Sequence, residues 1–386
     1  MQHDIKPIGV YDKELDLFEN QYSVPEGISY NSYLILDDKI ALIDTADERM
    51  ADEWRKNLTE NLPVGKAPAY LIIQHLEPDH SSQIAWVMDT YPDCQLICTA
   101  PAYKMLPLIV GDINFEDRIK TVADGETLSL GKHNLLFLTA PMVHWPEVMM
   151  VYDAYAKTLF SADGFGRFGN PDPSQPWACE ARRYYFNIVG KYGKPVQTVL
   201  QKLAGKEIDA IAPLHGPVLE GNLEKYLTLY KTWAAYDVET AGVLVAYASI
   251  HGFTEQAAKQ LAEILRESGA PKVSITDLTR DDQAEAVEDA FRMSHLVVLS
   301  PTYDAEIFPP MHDFIHHLSL KGYCSRRVAI VENGLWAPAA GKKMRQMFEN
   351  MKDITIVEPM VTLRGRLTEE KTEELRTLAA NLMADA

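Results

Sequence analysis

The alternation of apolar and polar positions changes character once along this chain, close to residue 240. Up to about residue 238 the apolar runs are short. Asn31–Leu36 and Ile40–Ile43, on either side of the polar Asp37-Asp38-Lys39, predict a β-hairpin. Ala69–Ile73, Cys94–Thr99, Asn134–Thr139, Met149–Tyr152, Ala156–Ser161 and Ile208–Leu214 read as further strands, with helical stretches such as Arg49–Asn61 between them. That mixture predicts a layered α/β sandwich. From Gly242 the pattern becomes a regular succession of strand and helix. Gly242–Ala248 is continuously apolar, as expected of a strand buried on both faces of a parallel sheet. The amphipathic Thr254–Ser268 follows, with Gly269 as its stop. Strands at Lys272–Ile275, Leu296–Ser300, Arg327–Glu332 and Ile354–Val357 complete a five-stranded doubly wound pattern. The change falls at Tyr236–Ala241, giving domains of 1–238 and 239–386, and a length of 386 residues suits two domains.

Composition narrows the class. An apolar share of 47% with 24% charged residues is that of a globular chain with sizeable cores. The net charge of −18, with no Lys/Arg-rich block, argues against a nucleic-acid partner. The N-terminus lacks the apolar core of a signal peptide, and no run approaches the roughly 18 apolar residues of a membrane span. The expectation is a cytoplasmic protein off the membrane. Cys94, Cys98, Cys179 and Cys324 form no CxxC pair. Cys94 and Cys98 read as buried, reduced thiols. The chain therefore carries no Cys-ligated iron centre, and electrons for any redox chemistry must come from another donor.

Candidate chemistry concentrates in His75-Leu76-Glu77-Pro78-Asp79-His80, directly after the apolar Ala69–Ile73. Two imidazoles and two carboxylates within six residues would repel or strain without a cation. A dinuclear zinc hydrolase would carry a third His at position 77; a carboxylate there moves the preference toward iron or manganese. Downstream, His144 follows Asn134–Thr139, Asp163 follows Thr158–Ala162 and His215 follows Ile208–Leu214. Singly, a His at a strand end is more often structural and an Asp a turn or cap residue. Following the six-residue run in this order, all three read as ligands at one carboxyl edge. Gly164-Phe165-Gly166-Arg167-Phe168-Gly169 matches GxGxxG, but Asn170–Ser174 reads as loop where the dinucleotide fingerprint needs a helix. A turn behind Asp163 is expected instead.

The constellation resembles the metallo-β-lactamase-like domain of flavodiiron proteins, also called A-type flavoproteins. Ser29–Leu34, Gly125–Gly131 and His144-Trp145-Pro146 are similar to the family's text as well. The resemblance implies that His75, Glu77 and His144 hold one iron, that Asp79, His80 and His215 hold a second, and that Asp163 bridges them.

In the second half, Ser249-Ile250-His251-Gly252-Phe253-Thr254 lies at a strand-to-helix turn, where N–H groups and hydroxyls suit a phosphate. It resembles the phosphate loop of flavodoxins, whose strand order places FMN at the switch point. Pro301-Thr302-Tyr303-Asp304 after the third strand and Asn333-Gly334-Leu335-Trp336-Ala337 after the fourth occupy positions where flavodoxin-like proteins hold the isoalloxazine ring. Tyr303 or Trp336 would stack on it. His312, His316 and His317 read as surface residues of the helix after Pro310.

Taken over nearly the whole chain, the resemblance implies an N-terminal metallo-β-lactamase-like αββα sandwich followed by a flavodoxin-like doubly wound sheet. It implies a diiron and FMN oxidoreductase that reduces O2 to water and/or NO to N2O, detoxifying either gas. A diferrous site and a reduced flavin each give about two electrons, matching the four that O2 requires. A rubredoxin is the family's usual donor, with a deazaflavin coenzyme in methanogen relatives. The family forms a head-to-tail homodimer or a dimer of dimers, one subunit's FMN lying against the other's metals. The competing readings are a dinuclear zinc metallo-hydrolase with a flavodoxin-like appendage, which Glu77 counts against, and a flavin electron carrier with an inert metal domain.

Overall fold

The computed structural model describes residues 2–384 and divides into two compact units, Met1–Lys231 and Thr232–Ala386. In the first, two six-stranded sheets face each other. One runs Ile5–Pro7, Tyr33–Ile35, Ala41–Ile43, Tyr70–Ile72, Gln95–Thr99, Ile119–Val122; the other runs Thr127–Ser129, Asn134–Thr139, Met149–Asp153, Thr158–Phe160, Ala210–Ala212, Leu219–Glu220. Alternate side chains from both, including Tyr33, Ile43, Ile72 and Ile97 on one side and Leu135, Phe137, Val151 and Phe160 on the other, meet in a single apolar cluster. This is sheet-on-sheet packing sustained by the period-two pattern of the strands. Helix Ala100–Val110 lies against Gln95–Thr99 and Ile119–Val122, and helix Gly193–Leu203 against Asn134–Thr139. The result is the αββα sandwich expected from the sequence.

Strand direction then decides where chemistry collects. Ala41–Ile43 runs parallel to Tyr70–Ile72, and Thr158–Phe160 runs parallel to Ala210–Ala212. Two antiparallel pairings give Asn134–Thr139 the same direction as Thr158–Phe160. The loops bearing His75–His80, His144, Asp163 and His215 therefore all leave from carboxyl ends of strands.

The second unit is a parallel sheet in the order Val273–Asp277, Thr240–Tyr247, Met293–Tyr303, Arg327–Asn333, Thr355–Leu363. In chain order this is 2-1-3-4-5, the flavodoxin-like arrangement with its switch point between the first and third strands. Thr240–Tyr247 is buried along six consecutive residues, as a strand covered on both faces must be. One face is covered by Phe253–Glu267 and Glu369–Met383, whose Leu261, Leu265, Leu375 and Leu378 join Val243, Val297 and Val331 in one core.

One boundary differs from the sequence reading. Pro301, Thr302 and Tyr303 belong to the third strand rather than to a loop, because Thr302 and Tyr303 pair with Ile307 and Glu306 in a small antiparallel hairpin. Its two turn residues, Asp304 (φ 50°) and Ala305 (φ 59°), have the positive φ of a tight two-residue hairpin turn.

Candidate metal centre and cofactor edge

At the carboxyl edge of the sandwich the seven residues singled out by sequence come together in two groups. His75, Glu77, His144 and Asp163 each place a donor atom within 4.8 Å of the others, and so do Asp79, His80 and His215. In the first group, His75 Nε2 and His144 Nε2 both lie 3.1 Å from Glu77 Oε2. In the second, His80 Nε2 and His215 Nε2 both lie 3.4 Å from Asp79 Oδ2. Asp163 joins the two. Its Oδ2 is 2.9 Å from His144 Nε2 and 3.5 Å from His75 Nε2, while Oδ1 is 3.2 Å from His80 Nε2 and 3.7 Å from His215 Nε2.

These groups fit a pair of cations. Both oxygens of Asp79, both ring nitrogens of His80, Asp163 Oδ1 and His215 Nε2 are buried without a hydrogen-bond partner among the described residues. Six such buried, unpartnered atoms would be costly in a site meant to stay metal-free. The electrostatics agree. Burial raises Asp163, but hydrogen bonding from His144 and the neighbouring His75 and His80 hold it well below the usual carboxylate range. Burial lowers His144, but hydrogen bonds to Asp163 and Glu77 carry it up to about 9. The cluster of carboxylates demands positive charge, which a bound cation would supply.

Four supporting residues escaped the sequence reading. Glu147, buried, lies 2.8 Å from His75 Nδ1 through Oε1 and also accepts the Leu76 N–H at 3.0 Å. It fixes the imidazole so that Nε2 faces the first group. Ser29 does the same for His215, its carbonyl accepting at 2.7 Å from Nδ1. Asp44 ends the strand Ala41–Ile43 and accepts the N–H of Gln74 at 2.8 Å, holding the turn into the six-residue run. Asp44 carried a usable signal, since it follows a strand as Asp163 does. Glu147 carried none beyond its nearness to His144, and Ser29, though within the family-like Ser29–Leu34, gave no sign that its carbonyl orients His215.

Tyr184 is the fourth. Its hydroxyl is fully buried without a partner among the described residues, and its ring lies 5.6 Å from that of His215. Burial, then the charges of Asp163, Glu77 and Asp79, push it well above the usual tyrosine value. Phe18, on the hairpin Leu17–Phe18/Tyr22–Ser23, packs edge-on against His215 at 5.5 Å and Phe168 at 5.6 Å. Partial loss of solvent, then the Glu77 charge, push the carboxyl of Glu19, at the turn of that hairpin, up to about 7.

The glycine-rich run after Asp163 is a loop, as expected. Asn170–Ser174 contains no helix, and Arg167 is buried there with its guanidinium donating to the carbonyls of Pro176 and Asn170. Cys94 and Cys98 are buried, whereas Cys179 is exposed; none of the four is in a disulfide. His312 and His316 are exposed on helix Pro309–Leu320.

In the second unit the predicted contact residues all reach the carboxyl edge of the sheet. Ser249–Gly252 form the turn into helix Phe253–Glu267, with Ser249 Oγ accepting the Gly252 N–H at 3.1 Å. Gly252 has φ 81°, and a Cβ there would meet nothing closer than 4.0 Å, so the space over the turn is open. Thr254 is 3% exposed and its hydroxyl makes no hydrogen bond among the described residues. Open space, helix N–H groups and an unspent hydroxyl fit a phosphate. Tyr303 and Trp336 are 46% and 78% exposed, offering aromatic faces beside that turn rather than filling the core. Two side chains turn inward instead. Thr302 Oγ1 accepts the N–H groups of Ala339 and Ala340, and Asn333 bonds the Gly365 peptide at both ends. Pro301, Asp304, Gly334, Leu335 and Ala337 lie in the adjoining strand end and loops.

The family model described as ODP family beta lactamase matches residues 28–216. The anaerobic nitric oxide reductase flavorubredoxin of Salmonella paratyphi B is 29% identical over 353 residues, covering 88% of this chain and 73% of that protein. A single-site variant of the flavo di-iron protein from Thermotoga maritima superposes with a TM-score of 0.87 at 26% identity, over 97% of this chain and 95% of that one. Over nearly its whole length the chain is similar to flavodiiron proteins. The rubredoxin oxygen:oxidoreductase of Desulfovibrio gigas has the same fold, with a TM-score of 0.90, 24% identity and coverage of 99% and 96% of the two chains. No helix among the described residues is long and apolar enough to cross a membrane.

Proposed function

We propose that this protein is an oxygen and/or nitric oxide reductase that uses two irons and FMN, taking electrons from an external donor. The observation that carries this is the composition of the paired groups: Glu77 stands where a zinc hydrolase would have nitrogen, and Asp163 presents one oxygen to each group. His75, Glu77 and His144 would hold one iron, Asp79, His80 and His215 the other, with Asp163 shared. Bound irons would supply O2 or NO binding and redox equivalents, and FMN the remaining electrons.

The chain's own residues supply the setting. Glu147 and the Ser29 carbonyl hold His75 and His215 with Nε2 inward. Phe18 and Tyr184 set buried rings against His215, backed by Phe168, and would keep water from the second group. The turn Ser249–Thr254 would seat the FMN phosphate, with Tyr303 or Trp336 against the ring.

The donor is a rubredoxin or an equivalent small redox carrier, and the setting is the cytoplasm. Ile250, Tyr303, Leu335 and Trp336 expose apolar surface along the cofactor edge, which supports cover by a second copy in a head-to-tail homodimer or a dimer of dimers. Anaerobically reduced protein given O2 or NO should consume four electrons per O2 without accumulating peroxide, or yield one N2O per two NO. Consumption of neither gas, with hydrolytic activity in its place, would overturn the reading. Sedimentation should give a dimer or tetramer; a monomer with full turnover contradicts the assembly.

A further inference from the structure

The turn at the start of helix Phe253–Glu267 has donors for a phosphate but little charge to match one. Its first turn carries an acid, Glu255, paired with Lys259 at 2.5 Å. A cation that is not paired with an acid reaches this helix from the last strand of the sheet. Arg366, on the loop after Thr355–Leu363, places its guanidinium 5.6 Å from the ring centre of Phe253, the first residue of the helix. Arg366 is exposed and forms no ion pair with any carboxylate among the described residues, in a chain with 55 acidic and 37 basic residues.

The loop that carries it is held rigidly. Asn333, itself 5% exposed, donates to the Gly365 carbonyl at 3.0 Å and accepts the Gly365 N–H at 2.9 Å. Gly334 N–H donates to Leu363 O at 3.1 Å. Gly365 has φ 85°, a left-handed conformation that favours glycine. The inward turn of Asn333 thus has a purpose: it ties the loop beside the cofactor ring to the loop bearing the cation.

We infer that Arg366 is the phosphate-selecting residue of the flavin site, its guanidinium pairing with the anion seated by Ser249, Thr254 and the helix N–H groups. This rests on the FMN assignment above. Its consequence is discrimination between FMN and riboflavin, which share the ring and differ in the phosphate.

The test is fluorescence titration of flavin-stripped, otherwise intact protein with FMN and with riboflavin. Arg366→Ala should weaken FMN binding roughly ten- to a hundredfold, the scale of a charge-assisted contact, and leave riboflavin unchanged. Arg366→Lys should recover part of the loss, and the salt dependence of FMN affinity should shrink in Arg366→Ala. Unchanged FMN affinity, or an equal loss for both flavins, overturns the inference. So does loss of discrimination in His251→Ala with Arg366→Ala unaffected, which would assign the charge to His251. Wild-type protein that takes up neither flavin sinks the FMN reading itself, and this inference with it.

Discussion

Glu147 shows what a single side chain controls in this protein. One carboxylate oxygen takes the His75 ring and a backbone N–H together, so the orientation of a metal-facing imidazole depends on a residue with no place in the metal groups. Glu147→Gln should reduce iron affinity about 10- to 100-fold with little change in fold; chelator competition measures it, and unchanged affinity would show that packing alone holds His75. Glu77→His tests ligand hardness directly. It should shift retention from iron toward zinc and abolish reduction of O2 and NO, whereas retained iron with full activity would refute the argument from ligand type. The six-residue run, His144, Asp163 and His215 were legible because each follows an apolar strand in the right order. Glu147, Ser29 and Tyr184 were not: a lone acid, a carbonyl and a buried ring have no local pattern, and only the folded chain shows what they touch.

Elements set which edge each residue reaches. Met149–Asp153 runs antiparallel to Asn134–Thr139, so Asp153 ends at the edge opposite His144. There it bonds His133 Nδ1, while Asp4, just before the strand Ile5–Pro7, lies 3.1 Å from Nε2. Burial lowers the His133 pKa, but the hydrogen bond and charge of Asp153, and then of Asp4, outweigh it and leave it raised. A raised folded-state value stabilises the fold fully below the unfolded imidazole's pKa of about 6.5, and the gain is lost as pH rises through the folded value. The melting temperature of wild type should therefore exceed that of Asp153→Asn most below about pH 6.5, the gap narrowing as pH rises above it; a constant gap contradicts this. On the metal side, Phe168 packs against Phe18 and Tyr184 at 5.6 and 5.0 Å. Phe168→Ala should cost about 3–5 kcal/mol of stability, read by denaturant unfolding. Strand positions were readable from period-two patterning, and the central strand from its unbroken apolar run. The extension of the third strand to Tyr303 was not, because the partner that holds it, Glu306–Ile307, is two residues long and too short to show a period.

At the scale of the whole molecule, sequence periodicity distinguished a sandwich from a doubly wound sheet because the two bury strands differently. The first buries one face of most strands against the opposite sheet; the second buries both faces of its centre under helices. Strand order and the gathering of distant loops into two metal-sized groups required the folded chain. The central claim is that these groups hold redox iron, and anaerobic elemental analysis of protein made in iron-replete medium tests it most directly. About two irons per chain are expected, from the two donor groups that Asp163 joins; two zincs with negligible iron would contradict the claim.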